Sequence, residues 1–431
     1  METNFNMTLT LQDCQAMDAA DPLRELRAQF SIPADTIYLD GNSLGAMPAR
    51  TPARVARVVS QEWGTDLIQS WNKHGWSQLP GQVGDKIARL IGAGAGEVVA
   101  TDSTSINLFK VLGAALPIAQ ADAPRRKRIV SERSNFPTDL YIAEALCKQH
   151  GWELVLVESD AVAAALTPDV AILMLTHVNY RTGAMHDMAA LTAAAHAAGI
   201  LTVWDLAHSA GAVPVDLKGA GADFAVGCGY KYLNGGPGAP AFVWVHPRHT
   251  DRFWQPLAGW WGHAAPFAFT PEYQPAPGIA RYLCGTQPMI SLAALECGVD
   301  TVLAAEPLGG MAALRAKSLA LTDLFIRLVQ ERCAGHGLGL ATPLEHTQRG
   351  SQVCLTRSEG AYAIVQALIA RGVIGDFRAG DDGMHPDILR FGFTPLYIGF
   401  EDVWHAVEHL KQVLEHGEWQ RPEFNRRHAV T

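Results

Sequence analysis

The chain has 431 residues, of which 48% are hydrophobic and 18% are charged, and its formal net charge is -9. A chain of this length exceeds what one hydrophobic core usually covers, so we expect two domains with a large core. The negative net charge argues against binding to nucleic acid or to an anionic membrane surface, since both require a basic protein surface.

Targeting and membrane segments are not expected. The amino terminus carries Glu2, Asn4 and Asn6 instead of a basic region that leads into an apolar run, which argues against a signal peptide. No apolar run is long enough to span a bilayer. The seven cysteines form no Cys-x-x-Cys pair, which argues against a disulfide framework and a structural zinc site. We therefore expect a cytoplasmic protein with reduced thiols and no metal.

Short apolar runs alternate with helical patterns through the middle of the chain. This pattern indicates an α/β fold with a mostly parallel, seven-stranded sheet flanked by helices. His186 and Asp187 can cap one of the helices, and Gly199 follows its last turn. The predicted strands are Val98–Ala100, Arg128–Val130, Leu154–Val157, Val170–Leu175, Leu201–Trp204, Phe224–Val226 and Phe242–Val245.

A second, smaller domain is predicted after about residue 300, where the sequence pattern changes. Leu314, Leu321 and Leu328 recur at helical spacing and predict a long amphipathic helix. We predict an N-terminal segment of residues 1–50 that packs with the small domain, a large cofactor-binding domain of residues 51–300, and a C-terminal α+β domain of residues 301–431.

Two of the predicted strands lead into reactive side chains. Asp205 and His208 follow one strand, and Lys231 follows another within a glycine-rich turn. In a parallel sheet the carboxyl ends of the strands meet at one edge, so we expect these side chains to lie close together. Pyridoxal phosphate needs an amine for its aldehyde and an anionic partner for its ring nitrogen, so the pair predicts this cofactor. Taken singly, Lys231 would more often be a solvated loop lysine and Asp205 a helix cap.

Candidate partners for the rest of the cofactor also follow strands. Ser103 and Thr104 stand at a helix start, where backbone amides and hydroxyls bind phosphate, although a serine there is more often an ordinary cap. Phe136 could stack on a flat cofactor ring, although a buried phenylalanine is more often core. Arg390 lies in an apolar strand and predicts a planar carboxylate partner, which could belong to the protein or to a substrate.

With these features assembled, the sequence closely resembles the kynureninase family of fold-type I pyridoxal phosphate enzymes. The segments that carry the resemblance occur in family order over nearly the whole chain. They are Tyr38–Gly45, Thr101–Phe109, Ser134–Asp139, His177–Gly183, Trp204–Ser209, Gly229–Gly238, Gly259–His263 and Val373–Arg378.

The resemblance implies roles for individual residues. Lys231 would bind the cofactor through its amine, and Trp260 and Thr286 would reach the cofactor phosphate from the neighbouring subunit of a homodimer. The complete expected cofactor-binding set is Ser103, Thr104, Phe136, Pro137, Thr138, Asp139, Asp205, His208, Tyr230, Lys231, Trp260 and Thr286. Lys231, Tyr230 and Asp205 are the expected catalytic residues, with Tyr230 either a proton relay or only an anchor for the phosphate.

The resemblance also implies an activity. The family hydrolyses the Cβ–Cγ bond of L-kynurenine to anthranilate and L-alanine in tryptophan degradation. Arg390 would hold the substrate α-carboxylate, with Trp71 and Asn42 also contacting the substrate. Trp71 and Thr286 stand where other members have histidine and asparagine, which implies a preference for kynurenine over 3-hydroxykynurenine.

Two alternatives remain open at this stage. A cysteine desulfurase or selenocysteine lyase uses the same Asp-x-x-His motif and lysine but also needs a nucleophilic cysteine on a mobile loop. Cys354 instead lies in a predicted strand. A non-enzymatic protein that binds pyridoxal phosphate is the second alternative, and the joint presence of Lys231, Tyr230 and Arg390 argues against it.

Overall fold

The fold is described from a computed structural model that covers residues 9–252, 255–381 and 385–427. The outermost parts of two predicted domains, residues 1–8 and 428–431, lie outside the described residues. No helix of the described ranges is long and apolar enough to cross a membrane.

All seven predicted strand segments form one sheet, as the alternating pattern predicts. The strands of the molecule are β1 Ile37–Tyr38, β2 Val98–Thr101, β3 Arg128–Glu132, β4 Glu153–Val157, β5 Val170–Thr176, β6 Leu201–Asp205, β7 Phe224–Gly227, β8 Ala241–Val245, β9 Gly339–Leu340, β10 Gln352–Thr356, β11 Val373–Ile374, β12 Asp376–Arg378 and β13 Ile388–Gly392. The large sheet has the order β2-β8-β7-β6-β5-β3-β4. Only β8 runs antiparallel to its neighbours, so the other six strands end at the same edge.

Helices cover both faces of this sheet. The helices are α1 Leu11–Ala20, α2 Thr51–Arg57, α3 Ser70–Lys73, α4 Leu79–Ala88, α5 Thr104–Asp122, α6 Pro137–His150, α7 Met188–Ala197, α8 Pro247–Thr250, α9 Met289–Leu303, α10 Gly310–Arg332, α11 Ala361–Ala370 and α12 Phe400–Glu415. Asp187 caps α7 by accepting a 2.9 Å hydrogen bond from the Ala190 amide, as predicted.

The central strands are apolar on both faces because each face packs against helices. Val203 and Phe224 belong to the apolar cluster that includes residues of α5 and α6. Trp204 and Ala225, the next residues along β6 and β7, belong to the cluster on the opposite face. Since successive side chains of a strand alternate between faces, burial on both sides produces the continuous apolar runs seen in the sequence.

The C-terminal part builds a second sheet with the order β12-β13-β10-β9, in which all neighbours are antiparallel. The predicted amphipathic helix is α10, and its Leu314, Leu321 and Leu328 are buried. The N-terminal segment packs on this part of the molecule, since β1 pairs with β11. Asp18 also accepts hydrogen bonds from the Phe400 and Glu401 amides at the start of α12, at 2.7 and 2.8 Å.

One buried carboxylate joins several elements of the large sheet. Asp223, just before β7, accepts hydrogen bonds from His196 on α7, His249 on α8 and the Thr202 amide on β6, at 2.8, 2.7 and 2.8 Å. Arg248 adds an ion pair at 2.6 Å. Burial favours the neutral acid, but these hydrogen bonds outweigh burial and hold the pKa of Asp223 well below its usual range.

We predict that Asp223→Asn lowers the free energy of unfolding by about 3 kcal/mol, because it leaves buried donors without an anionic acceptor. Urea unfolding followed by tryptophan fluorescence measures this loss. Since the carboxylate stabilises the fold only while ionised, the difference should be constant above its unfolded-state pKa of about 4 and should shrink below it.

Asp122→Asn is the matched control, because Asp122 forms an exposed ion pair with Arg252 at the protein surface. Its removal should change the free energy of unfolding by less than about 0.5 kcal/mol. Equal losses in the two variants would contradict the assignment of Asp223 as a structural hub.

Candidate functional site

A partly enclosed pocket lies at the carboxyl edge of the large sheet, where the parallel strands end. It brings together most of the residues that the sequence nominates. Its lining residues are Ser103, Thr104, Ser105, Phe136, Thr138, Asp139, Thr176, Tyr180, Asp205, Ala207, His208, Tyr230 and Lys231. The pocket therefore collects side chains that are up to 128 positions apart in the chain, between Ser103 and Lys231.

Lys231 stands in the turn between β7 and β8. The Asn234 amide donates to the Lys231 carbonyl at 2.9 Å, and the Gly45 amide donates to the Tyr230 carbonyl at 2.8 Å. A side chain at Gly229 would place its Cβ 2.2 Å from the Pro240 carbonyl oxygen, so only glycine fits there. The glycine-rich sequence thus packs this turn tightly and fixes the position of the lysine.

The Lys231 amine faces an imidazole ring. Its Nζ lies 2.9 Å from Nε2 of His208, which follows β6. Burial lowers the pKa of Lys231, and the guanidinium groups of Arg390 and Arg378 lower it further against the opposing charge of Asp205. Burial also holds the pKa of His208 well below its usual range. Both shifts favour the uncharged form of the group, the amine of Lys231 and the imidazole of His208.

Two carboxyl groups meet at the base of the pocket. Asp205 ends β6, and its Oδ1 accepts a 2.7 Å hydrogen bond from the Ala207 amide. Burial raises the pKa of Asp205, and burial together with the charge of Asp205 raises the pKa of Asp139 well above its usual range. The two side chains are hydrogen-bonded to each other, and two buried carboxyl groups in such contact do not both ionise. Asp139 therefore keeps its proton and Asp205 carries the charge.

The start of α5 forms another wall of the pocket. Ser103 is its N-cap, with Oγ accepting from the Ile106 amide at 3.4 Å, and Thr104 is the first helical residue. Asp102, just before it, has a left-handed backbone with a φ of +47°. The buried Lys110 pairs with Asp102 and also donates to the Tyr282 carbonyl at 2.6 Å, which holds this strained turn in place. Free amides at a helix start bind phosphate well.

Aromatic side chains complete the pocket. Phe136 is 42% exposed and meets Tyr180 edge to face, with 5.3 Å between ring centroids. Its exposed ring can therefore accept a flat partner. Pro137 occupies the first turn of α6 and is not a lining residue. Burial raises the pKa of Tyr230, so its phenol stays protonated at neutral pH and can donate a proton.

Arg390 pairs with a carboxylate of the protein, one of the two alternatives that the sequence leaves open. Asp376 is its cross-strand partner on β12, and Nε of Arg390 donates to Asp376 at 2.7 Å. Its other nitrogens donate to the Tyr180 carbonyl at 2.9 Å and to Ser43 at 2.8 Å. All three nitrogens of Arg390 therefore have partners within the protein, and its contact with a substrate carboxylate stays a prediction.

Four other residues that we predict to bind the cofactor or the substrate do not line this pocket. Trp71 packs between Trp76 and Trp261, with centroids at 5.7 and 5.0 Å. Asn42 is fully buried against Gly392, and both of its amide atoms lack a hydrogen-bond partner. Trp260 and Thr286 are exposed on the surface of the chain.

Sequence reasoning did not assign several residues of this region. Thr176 and Tyr180 line the pocket, and both belong to or adjoin the His177–Gly183 segment that carried the family resemblance without a residue role. Ser105 and Ala207 adjoin nominated residues. Gln352, which contacts His208 from β10, gave no signal because the two are 144 positions apart in the chain.

The donor set fits pyridoxal phosphate. The pocket offers an amine of lowered pKa for an aldehyde, a buried carboxylate for a ring nitrogen, and a helix start for a phosphate. The exposed face of Phe136 adds a surface for a flat ring. Across the described parts of the chain, no group of three or more His, Cys, Asp or Glu side chains is arranged to hold a metal ion.

Curated relatives match the chain over almost its full length. A kynureninase from Pseudomonas fluorescens is 57% identical over 425 residues, which are 98% of this chain and 100% of the relative. A kynureninase from Burkholderia pseudomallei (strain 1106a) shows the same identity and coverage. The sequence model of a protein family, the kynureninase C-terminal domain, matches residues 314–410 of this chain.

Solved structures with low sequence identity share the fold. A cysteine desulfurase from Thermococcus onnurineus superposes with a TM-score of 0.76 at 17% identity, over 91% of this chain and 98% of that chain. A cysteine desulfurase from Escherichia coli superposes with a TM-score of 0.73 at 19% identity, over 91% of this chain and 98% of that chain. These neighbours confirm the predicted fold-type I architecture. The curated relatives, at 57% identity over 98% of this chain, establish that the chain belongs to the kynureninase family.

Proposed function

We propose that this chain is a pyridoxal phosphate-dependent hydrolase that cleaves the Cβ–Cγ bond of L-kynurenine to anthranilate and L-alanine, and acts more weakly on 3-hydroxykynurenine. One observation carries the proposal: the amine of Lys231, whose pKa is lowered by burial, and the carboxylate of Asp205 share a buried pocket in a chain of this family. The cofactor, when bound, supplies an electron sink for the carbanion that cleavage of the substrate generates.

The residues that would hold the cofactor each match one of its parts. Lys231 would bind its aldehyde, and Asp205 would hold the ring nitrogen in its protonated form. Phe136 would stack on the ring, while Ser103 and Thr104 at the start of α5 would bind the phosphate. Asp139, being neutral, would donate a hydrogen bond to Asp205 and keep its charge directed at the ring nitrogen.

Proton transfer falls to two residues of the same turn. The Lys231 amine would take the α-proton of the substrate, and the lowered pKa of this amine favours the unprotonated form that can accept it. Tyr230 would return protons as an acid, since its raised pKa keeps the phenol neutral. The Tyr230 ring centroid lies 5.7 Å from Nζ of Lys231, so both can serve the same substrate.

A positive region beside the pocket would attract the substrate α-carboxylate. Arg390 and Arg378 both pair with Asp376, so two guanidinium groups share one carboxylate. Burial and the charge of Asp376 raise the pKa of Asp40 to about 7, so Asp40 offsets the remaining positive charge only in part. Arg390 would contact the substrate by exchanging one of its present partners, and Nε of Arg378 is buried without a partner.

A cysteine desulfurase, the first alternative, is disfavoured by the position of the cysteines. All seven lie within the described ranges, and none lines the pocket. Cys354 is buried in β10, and burial raises its pKa to about 11. A desulfurase needs a thiolate that reaches the substrate, and a buried strand thiol meets neither requirement.

We further propose that the protein acts as a homodimer. Trp260, Phe267 and Phe269 form an exposed aromatic cluster, with 37%, 61% and 77% of their surface accessible. Exposed apolar clusters of this kind mark protein interfaces. Trp260 and Thr286 lie outside the pocket of their own chain, which supports their expected reach into the pocket of a second subunit.

The division into segments 1–50, 51–300 and 301–431 and a cytoplasmic location complete the proposal. The pairing of β1 with β11 supports assigning the N-terminal segment to the small domain. The spacing of the seven cysteines, which form no Cys-x-x-Cys pair, favours a reducing compartment.

The first test mixes the protein, loaded with pyridoxal phosphate, with L-kynurenine and follows anthranilate fluorescence and alanine. We expect equal amounts of both products. A parallel reaction with L-cysteine and sulfide detection tests the desulfurase alternative. Sulfide without anthranilate would overturn the proposal, and binding of the cofactor without any turnover would support the non-enzymatic alternative.

Lys231→Ala should lower the rate of this reaction by at least about 10³-fold and remove the absorption band of the lysine-bound cofactor, because the pocket then has no amine. Lys218→Ala is the matched control, since Lys218 forms a half-exposed ion pair with Glu97. Retained activity in Lys231→Ala would refute the cofactor assignment.

Shared active sites predict complementation between two defective subunits. Trp260→Ala should weaken cofactor binding by about tenfold, the cost of one lost hydrogen bond to the phosphate. At a cofactor concentration that leaves this variant mostly unloaded, equal mixing with Lys231→Ala should restore about one quarter of wild-type activity. Half of the dimers are then mixed, and each has one intact site.

The control pairs Lys231→Ala with Asp205→Asn, whose side chains line the same pocket. Their mixed dimers contain no intact site, so activity should stay low. If Trp260 served its own subunit instead, mixing Trp260→Ala with Lys231→Ala would also restore nothing, and the shared-site proposal would fail.

Substrate selectivity tests the roles proposed for Trp71 and Thr286. We expect kcat/KM for L-kynurenine to exceed that for the 3-hydroxylated substrate by about tenfold or more, because the ring hydroxyl lacks a polar partner. The double variant Trp71→His with Thr286→Asn should reduce this ratio. Trp76→His, which changes a neighbouring tryptophan bonded to Glu62, is the control and should leave the ratio unchanged.

A further inference from the structure

A glutamine of the small C-terminal sheet reaches the histidine that faces the catalytic lysine. Gln352, at the start of β10, is fully buried. Its Oε1 lies 3.1 Å from Nδ1 of His208, whose Nε2 lies 2.9 Å from Nζ of Lys231. A single chain of side-chain contacts therefore connects the small sheet to Lys231.

The orientation of the Gln352 amide follows from its other partners. Its Nε2 lies 3.3 Å from the Asn179 carbonyl oxygen and 3.1 Å from the Tyr180 carbonyl oxygen. Carbonyl oxygens only accept hydrogen bonds, so the NH₂ group must face them. The opposite orientation would bring three oxygens together without a hydrogen. Oε1 is thereby directed at His208.

This orientation determines which ring nitrogen of His208 carries the proton. Because Oε1 is only an acceptor, Nδ1 of His208 must donate to it. Burial and the positive charges of Arg390 and Arg378 keep the imidazole neutral, so it holds one proton. Nε2 therefore presents a lone pair to Lys231.

We propose that Gln352 is a positioning residue that fixes the Nδ1–H tautomer of His208 and so makes His208 an acceptor for the Lys231 amine. An amine that donates a hydrogen to Nε2 keeps its own lone pair free for attack on the cofactor aldehyde. In the other tautomer Nε2–H donates to the amine and occupies that lone pair. Reactivity of the lysine in the large domain thus depends on a residue of the small sheet.

The proposal rests on the function of Lys231 proposed above, but its test reads the tautomer directly. Long-range ¹H–¹⁵N spectra of ¹⁵N-histidine-labelled apoprotein distinguish the two tautomers, and His208→Asn identifies the signals of His208. In the wild type we expect the proton on Nδ1. A proton on Nε2 in the wild type would overturn the proposal without any variant.

Two variants separate the acceptor oxygen from the shape of the side chain. Gln352→Met keeps the length of the side chain but removes the acceptor, so a substantial share of His208 should move to the Nε2–H form. Gln352→Glu keeps an acceptor oxygen toward His208, and its buried carboxyl, when protonated, can donate to the Tyr180 carbonyl as the amide does, so Nδ1 should stay protonated. Gln366→Met is the control, because Gln366 lies on α11 and its Nε2 has no hydrogen-bond partner.

The second readout is the rate at which each apoprotein captures added pyridoxal phosphate, followed by the absorption of the lysine-bound form. Gln352→Met should slow capture about tenfold, while Gln366→Met should not slow it. Unchanged capture by Gln352→Met, or an unchanged tautomer, would overturn the proposal. Failure of the wild type to capture the cofactor would instead refute the proposed function, and the spectra of His208 would still decide the tautomer.

Discussion

The site depends on one geometric constraint, the common direction of six strands. Because β2, β3, β4, β5, β6 and β7 all run the same way, the residues that follow them collect at one edge of the sheet. Hydrogen bonding across the sheet fixes the spacing of these strand ends, with Asp205 of β6 opposite Thr176 of β5 and Val226 of β7. The position of each reactive group is therefore set by the most rigid part of the molecule.

Burial at this edge determines the charge of each group. An isolated charge in a buried site costs several kcal/mol, so buried ionisable groups tend to become neutral or to share charge. Lys231 and His208 respond with lowered pKa values, and Asp139 keeps its proton beside Asp205. The same burial that stabilises the sheet thus favours the uncharged amine of Lys231 and leaves a single carboxylate at the site.

The small sheet contributes hydrogen bonds to a residue of the pocket wall. β13 carries Arg390 and β10 carries Gln352, and both donate to the carbonyl oxygen of Tyr180. Tyr180 itself meets Phe136 at the pocket wall. Contacts from two neighbouring strands of the small sheet therefore converge on one backbone group of the large domain, which couples the alignment of the two parts to the shape of the site.

The sequence by itself determined the seven strands, the long helix α10 and the motifs that contain Lys231, Asp205 and the start of α5. These features are local, since they follow from alternating burial, glycine-rich turns and helix caps within short stretches of chain. Only the tertiary structure decided that Asp376 is the hydrogen-bond partner of Arg390. It also decided that Asp139 and Asp205 share one proton and that Gln352 contacts His208. In each case the paired side chains are separated along the chain and meet only when the protein folds and buries them together. The local sequence pattern around one residue carries no information about such a distant partner.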